Sequence, residues 1–254
     1  MRFVAISLFI IGFLIAIVLN PNWAYANKTS YKNYDVYHNK PLDPGWLDKL
    51  DEATELIKTS ELYNPDLRLD ICLNDGAFYP SVIKTIQGQA FAWGFYDKVV
   101  FHARTEKNYA HVELNGYTWN LTQLLAHEMV HCLQFDRFGP WKSKPIANIP
   151  NWKWEGYAEY ISRKNDDQKN LVQNISRLYQ TNEDAWAILF NDGTIAPREY
   201  YSYWMLVQYC IDIKKMGYDE ILDDNITEEI LGREMTDWYQ MQTKTDSEIN
   251  ENLH

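Results

Sequence analysis

Cysteine is scarce in this chain: three residues in 254, and no Cys-x-x-Cys pair among Cys72, Cys132 and Cys210. That excludes a disulfide-dense miniprotein, a cysteine zinc finger and a dithiol redox site, and the odd number leaves room for at most one disulfide. Positive charge is also short, with 24 Lys and Arg against 35 Asp and Glu, a net charge of −11. The chain therefore lacks the basic face that a nucleic-acid binder turns toward phosphates. It has no internal repeat and no low-complexity tract. Aromatic residues, by contrast, are plentiful: 10 Trp, 18 Tyr and 10 Phe, a content that disordered segments do not have. At 46% hydrophobic content the composition describes an acidic globular protein, long enough for one large domain or two small ones.

Long apolar runs are absent except at the N terminus. Arg2 precedes an almost unbroken run from Phe3 to Leu19, then Pro21, then Ala24-Tyr25-Ala26 before Asn27. A positive start, an apolar stretch and small residues at the third and first positions before a cleavage point read as a secretory signal peptide over residues 1–26. The run is nearly long enough to span a bilayer, so an uncleaved membrane anchor is the alternative. Both readings place the rest of the chain outside the cytoplasm, secreted or tethered to the membrane.

Residues 27–42 are polar and irregular and read as a linker, leaving 43–254 as the folded domain. Asp43-Pro44 opens a helical pattern with Leu47, Leu50, Thr54 and Ile57 on one face. Leu67, Leu69, Ile71 and Leu73 alternate with polar residues and Cys72, as in a half-buried strand, and Asn74-Asp75-Gly76 follows as a turn. Phe91–Phe95 and Val99–Ala103 are further strand candidates, and His111–Leu114 a weaker one. From about residue 118 onward helices are expected, near 118–137, 152–164, 167–181, 198–216 and 226–241. Strands first and helices afterwards suggest an α+β fold.

His127-Glu128-Met129-Val130-His131 is a His-Glu-x-x-His motif within the expected 118–137 helix. A helix turns about 100° per residue, so positions i and i+4 share one face. His127 and His131 can aim two imidazoles at one metal ion, while Glu128 stands beside it, where a carboxylate can take the proton of a water. A zinc site of this kind needs a third protein ligand. Twenty-four residues after His131 lies Glu155, followed four residues later by Glu159, on a separate expected helix beyond Pro140, Pro145 and Pro150. Glu155 is assigned as the third ligand, and Glu159 as the carboxylate that receives an imidazole N–H and fixes the ring.

His-Glu-Met-Val-His followed by Trp154-Glu155-Gly156-Tyr157-Ala158-Glu159-Tyr160 resembles the gluzincin group of zinc metallopeptidases, which includes thermolysin and a set of aminopeptidases. The resemblance covers roughly residues 90–225. It implies a zincin-like fold: a strand-rich N-terminal lobe carrying the active-site helix, about 43–140, and an all-helical C-terminal lobe, about 141–254. It also implies Zn²⁺ as cofactor, a peptide or protein as substrate, and a tyrosine phenol facing the substrate carbonyl. Tyr200 is the candidate for that role, although Tyr203 stands where a small residue is usual, so Tyr201 and Tyr203 remain open. Aminopeptidases of the group use a Gly-x-Met-Glu-Asn segment to grip the substrate amine. The comparable stretch here, Gly88–Gly94, has no carboxylate, which weakens an exopeptidase reading. Phe91–Phe95 could instead be an edge strand that a peptide joins by β-augmentation. A non-enzymatic binding module on the same fold and a metal-dependent hydrolase of another substrate are the competing classes. Cys132, turned about 100° from His131, is expected to be a core thiol, and His102 a packing residue.

Overall fold

The computed structural model of the protein describes residues 12, 16–106 and 109–251. Its architecture is mixed, α+β in class, with strands concentrated before residue 120 and helices after it. A five-stranded sheet has the order β1-β2-β3-β5-β4, from β1 (Asn27–Tyr31), β2 (Tyr34–His38), β3 (Leu69–Cys72), β5 (Lys98–Phe101) and β4 (Ala92–Phe95). The central trio β2, β3 and β5 is parallel, and β1 and β4 close the two edges antiparallel. Parallel strands are buried on both faces. Val36, Ile71 and Val99 accordingly face one core cluster, and Tyr37, Cys72 and Val100 face the other.

The second face is covered by Tyr79 and Ile83 of α2 (Tyr79–Gln87) and by Ile17. The Tyr79 hydroxyl donates to the Val18 carbonyl at 2.6 Å, and the Tyr25 hydroxyl to that of Leu73 at 2.9 Å. Most of the N-terminal apolar run lies outside the described residues. Among those described, no helix is long and apolar enough to cross a membrane.

The first face packs on α1 (Pro44–Ile57) and on α3 (Leu121–Phe138). Asp43 caps α1 by accepting the Gly45 N–H, with Pro44 in the first turn, where its missing N–H costs nothing. Three short strands, β6 (Arg104–Thr105), β7 (His111–Leu114) and β8 (Tyr117–Asn120), form a meander leading into α3. Beyond it come α4 (Asn151–Ser162), α5 (Leu171–Gln180), the β9–β10 hairpin (Ala187–Leu189 and Ile195–Pro197), α6 (Arg198–Gln208), a π-helical turn at Tyr209–Ile213, α7 (Tyr218–Ile221) and α8 (Glu228–Glu251).

Several expectations are corrected. Residues 27–42 are not a linker: β1 and β2 form a hairpin, and β2 pairs with β3. Its polar face hid it, and its two-residue turn uses Lys32 at φ 51° and Asn33 in place of the Asn-Gly or Asp-Gly that flags such turns. The C-terminal part is not all-helical, because β9 and β10 interrupt it. The motif helix begins at Leu121, since Tyr117–Asn120 pairs with β7 and Asn120 then caps α3 by accepting the Gln123 N–H at 3.0 Å. Helix α2 had no forecast; at nine residues it gives the periodicity too few turns to register. One buried cluster, from Tyr34 to Met235, has members on both sides of residue 140.

Candidate metal centre

Helix α3 is buried on all sides for most of its length, from Leu121 to Gln134 with one gap at Thr122. Burying His127, Glu128 and His131 there (3%, 6% and 6% exposed) is costly unless each polar atom finds a partner. The partners are mutual. His131 Nε2 lies 3.1 Å from His127 Nε2 and 3.1 Å from Glu155 Oε2, and His127 Nε2 lies 3.4 Å from the same oxygen. Among the described residues this is the one His/Cys/Asp/Glu trio whose donor atoms converge closely enough to share a metal ion.

The His131 tautomer follows from its outer hydrogen bond. Gln134 Nε2 donates to the Trp154 carbonyl (3.1 Å) and the Tyr218 hydroxyl (2.7 Å), which leaves Gln134 Oε1 to accept from His131 Nδ1 at 2.8 Å. His127 Nδ1 faces Glu159 Oε1 at 3.4 Å, within ion-pair reach but out of line for a hydrogen bond. With His131 Nδ1 bonded outward to Gln134 and His127 Nδ1 turned toward Glu159, two Nε2 atoms and a carboxylate oxygen face one another. Such a trio repels itself unless a cation lies among them. Burial pushes the His127 imidazole down, but Glu155 and Glu159 outweigh it and raise it to about 10; the two imidazoles likewise pull Glu155 below the usual carboxylate range, against its burial. A proton meets that demand at one nitrogen, whereas a metal ion meets it at all three donors. Tetrahedral zinc with bonds of about 2.0–2.1 Å sets its ligand atoms about 3.3–3.4 Å apart, and the N, N, O set fits that spacing.

Glycines set the two helices and the sheet edge at this separation. A Cβ on Gly94 of β4 would lie 2.8 Å from the carbonyl carbon of Glu128, and one on Gly156 of α4 would lie 2.6 Å from the Tyr203 carbonyl oxygen of α6. Any side chain at either place would push the elements apart. Burial raises the Glu128 carboxyl, and the His127 and His131 imidazoles oppose this.

Tyr200 is the member of its trio at the site. Its ring lies parallel to that of His127, centroids 6.1 Å apart, and it lines the cleft. Burial and then the nearby Glu155, Glu128 and Glu159 push the phenol up, so it keeps its proton and remains a donor. Tyr201 is fully buried with its hydroxyl on the Asn174 carbonyl (3.1 Å), and the Tyr203 hydroxyl is held by Glu199 at 2.6 Å. The cleft above the trio measures about 580 Å³. Strand β4 forms one wall, and Trp119, Phe135, Trp154 and Trp186 line it elsewhere. Tyr117 and Trp186 meet across it at 4.7 Å between centroids.

Cys132 is buried with Sγ 3.4 Å from the Lys98 carbonyl, and all three cysteines are free thiols. His102 bonds the Ala90 carbonyl at 2.9 Å. Sequence reasoning missed Gln134, Arg163, Gly94 and Glu199. Gln134 and Arg163 sit three and four residues beyond His131 and Glu159, so helical spacing was the available signal. No family model matches the chain, and no curated protein matches it.

Proposed function

We propose that this chain is a zinc-dependent hydrolase, a peptidase of gluzincin type with a zincin-like arrangement of lobes. The reading is carried by one observation: two imidazole nitrogens of one helix and a carboxylate oxygen of another, Glu155 being 24 residues beyond His131, meet at 3.1–3.4 Å in a cleft beside a buried glutamate. His127, His131 and Glu155 would hold the zinc. When bound, zinc supplies Lewis acidity, lowering the pKa of a water and polarising a carbonyl. Glu128 is outside the trio and lines the cleft, so it is free to take the proton of the attacking water and pass it to the leaving amine. The Tyr200 phenol donates to the oxygen on which negative charge develops. β4, at the sheet edge and on the cleft wall, offers an extended peptide its outer backbone groups. The N-terminal apolar run supports an extracytoplasmic location, secreted or membrane-tethered.

The test is Glu128→Gln, with zinc content and cleavage of a peptide library measured with and without chelator. The expected outcome is full zinc occupancy with hydrolysis abolished, and chelator-sensitive cleavage by the parent chain. Undiminished turnover in Glu128→Gln would overturn the assignment. Zinc binding by the parent chain without chelator-sensitive cleavage would favour a binding module.

A further inference from the structure

Arg163 is among the largest fully enclosed side chains in the protein, and its guanidinium is always charged. A charge at that depth costs several kcal/mol unless it is paired and hydrogen-bonded. It follows the last residue of α4, four residues after Glu159, and its Nε donates to Glu159 Oε2. Nη1 reaches Gln123 Oε1 of α3 and Nη2 the Ile195 carbonyl of β10, each at 3.4 Å. The rings of Trp119, Phe190 and Trp204 lie 5.1, 5.2 and 5.8 Å from the guanidinium carbon. Acceptors on three sides and aromatic rings around it leave the fork one orientation.

That orientation has a consequence at the trio. Arg163 occupies one oxygen of Glu159, so the other, Oε1, is the one that faces His127 Nδ1. Both of those facing atoms are buried and without another partner, which makes the pair the weak joint of the site. On the Nδ1 side the ring faces Glu159, and Glu159 in turn is held by Arg163. We infer that Arg163 is a positioning residue for the metal: through Glu159 it fixes the plane and tautomer of His127 and so sets metal affinity, although it touches neither metal nor substrate. The inference rests on the zinc reading above. It also ties the centre to β10, the strand that leads directly into α6 and Tyr200.

A merely structural Arg163 would stabilise the fold without altering metal affinity, and the test separates the two. Zinc dissociation constants are measured by chelator competition for the parent chain, Arg163→Lys, Glu159→Gln and the double variant, with folding checked by circular dichroism. The visible spectrum of the Co²⁺-loaded chains reports ligand geometry. Arg163→Lys is expected to weaken zinc binding about 10–100-fold and to shift the cobalt bands. Glu159→Gln is expected to lose at least as much, and adding Arg163→Lys to it to change little further. Parent affinity and spectrum in folded Arg163→Lys, or losses that multiply in the double variant, would overturn the inference. If Arg163→Lys does not fold, Glu159→Gln decides alone: parent affinity there removes the route through which Arg163 is held to act. A parent chain with no zinc affinity removes the metal reading itself, an outcome distinct from either.

Discussion

The backbone of Gly94 touches the backbone of Glu128: a methyl group on the glycine would lie 2.8 Å from the glutamate carbonyl carbon and 2.9 Å from its Cα. The sheet edge and the motif helix therefore meet at the one helical residue assigned to proton transfer. Gly94→Ala is expected to force the strand from the helix, lowering stability by about 1–3 kcal/mol, the usual penalty of overpacking. It should depress kcat far more than zinc affinity, because a misplacement on the order of 1 Å at a reacting group costs about 10²-fold. Thermal unfolding, zinc titration and steady-state kinetics check the three parts. Equal losses in kcat and zinc affinity would show that the contact serves the whole trio and not Glu128.

Metal removal gives a second prediction, independent of any substrate. A ligand that binds only the folded chain stabilises it by about 2.7 kcal/mol when present at about 100 times its dissociation constant. Chelation should therefore lower the Tm of the parent chain, and added zinc should restore it. Glu155→Ala removes one of three donors and should lose more zinc affinity than Glu159→Gln, with a Tm insensitive to zinc. A zinc-independent Tm in the parent chain would contradict the metal assignment.

The convergence of the candidate site was more legible in the sequence than the architecture, for a physical reason. His127, Glu128 and His131 lie within five residues of one helix, so local geometry alone brings them together. Glu155 and Glu159 repeat the same spacing on α4, and Gly156 between them now has a cause in the close approach of α6. The β1–β2 hairpin was illegible because its strands owe their existence to pairing with β3, a non-local partner, and not to their own polar composition. The same holds for β9–β10, three residues per strand. Gln134 and Arg163 looked like ordinary polar residues; only the fold shows that both are buried, Gln134 against the His131 imidazole and Arg163 against Glu159.

The tyrosines give a contrast within one helix. Tyr200→Phe removes the phenol that lines the cleft and should lower kcat by about 10²–10³-fold, the range for loss of an oxyanion donor, with little change in KM. Tyr201→Phe removes a hydroxyl that bonds Asn174 and Arg177 away from the cleft; it should cost about 0.5–1.5 kcal/mol of stability and leave kcat intact. Kinetics and denaturant unfolding of the two variants side by side check this. A kinetic defect confined to Tyr201→Phe would reassign the role.

The acidic balance of the chain acquires an address at Glu199. This carboxylate lines the cleft one residue before Tyr200, and the Tyr203 hydroxyl holds it from below at 2.6 Å. Glu128 and Glu155 carry the proposed proton transfer and ligation, which leaves Glu199 as the carboxylate of the cleft lining with no assigned part in the proposed chemistry. Lys144, the cationic side chain of that lining besides the two histidines, is engaged by Asn151. Glu228 feels the same negative charge, which raises its carboxyl after burial has done so. A peptide with a lysine or arginine beside the scissile bond should thus be preferred over its neutral counterpart. Glu199 is exposed, so the preference should be modest, about 2–5-fold in kcat/KM, as for a solvent-screened ion pair. Glu199→Gln should abolish the preference by slowing the basic peptide alone, and raising the salt concentration should do the same to the parent chain. Matched peptides differing only in that charge decide it: a preference that survives Glu199→Gln would place its origin elsewhere in the cleft.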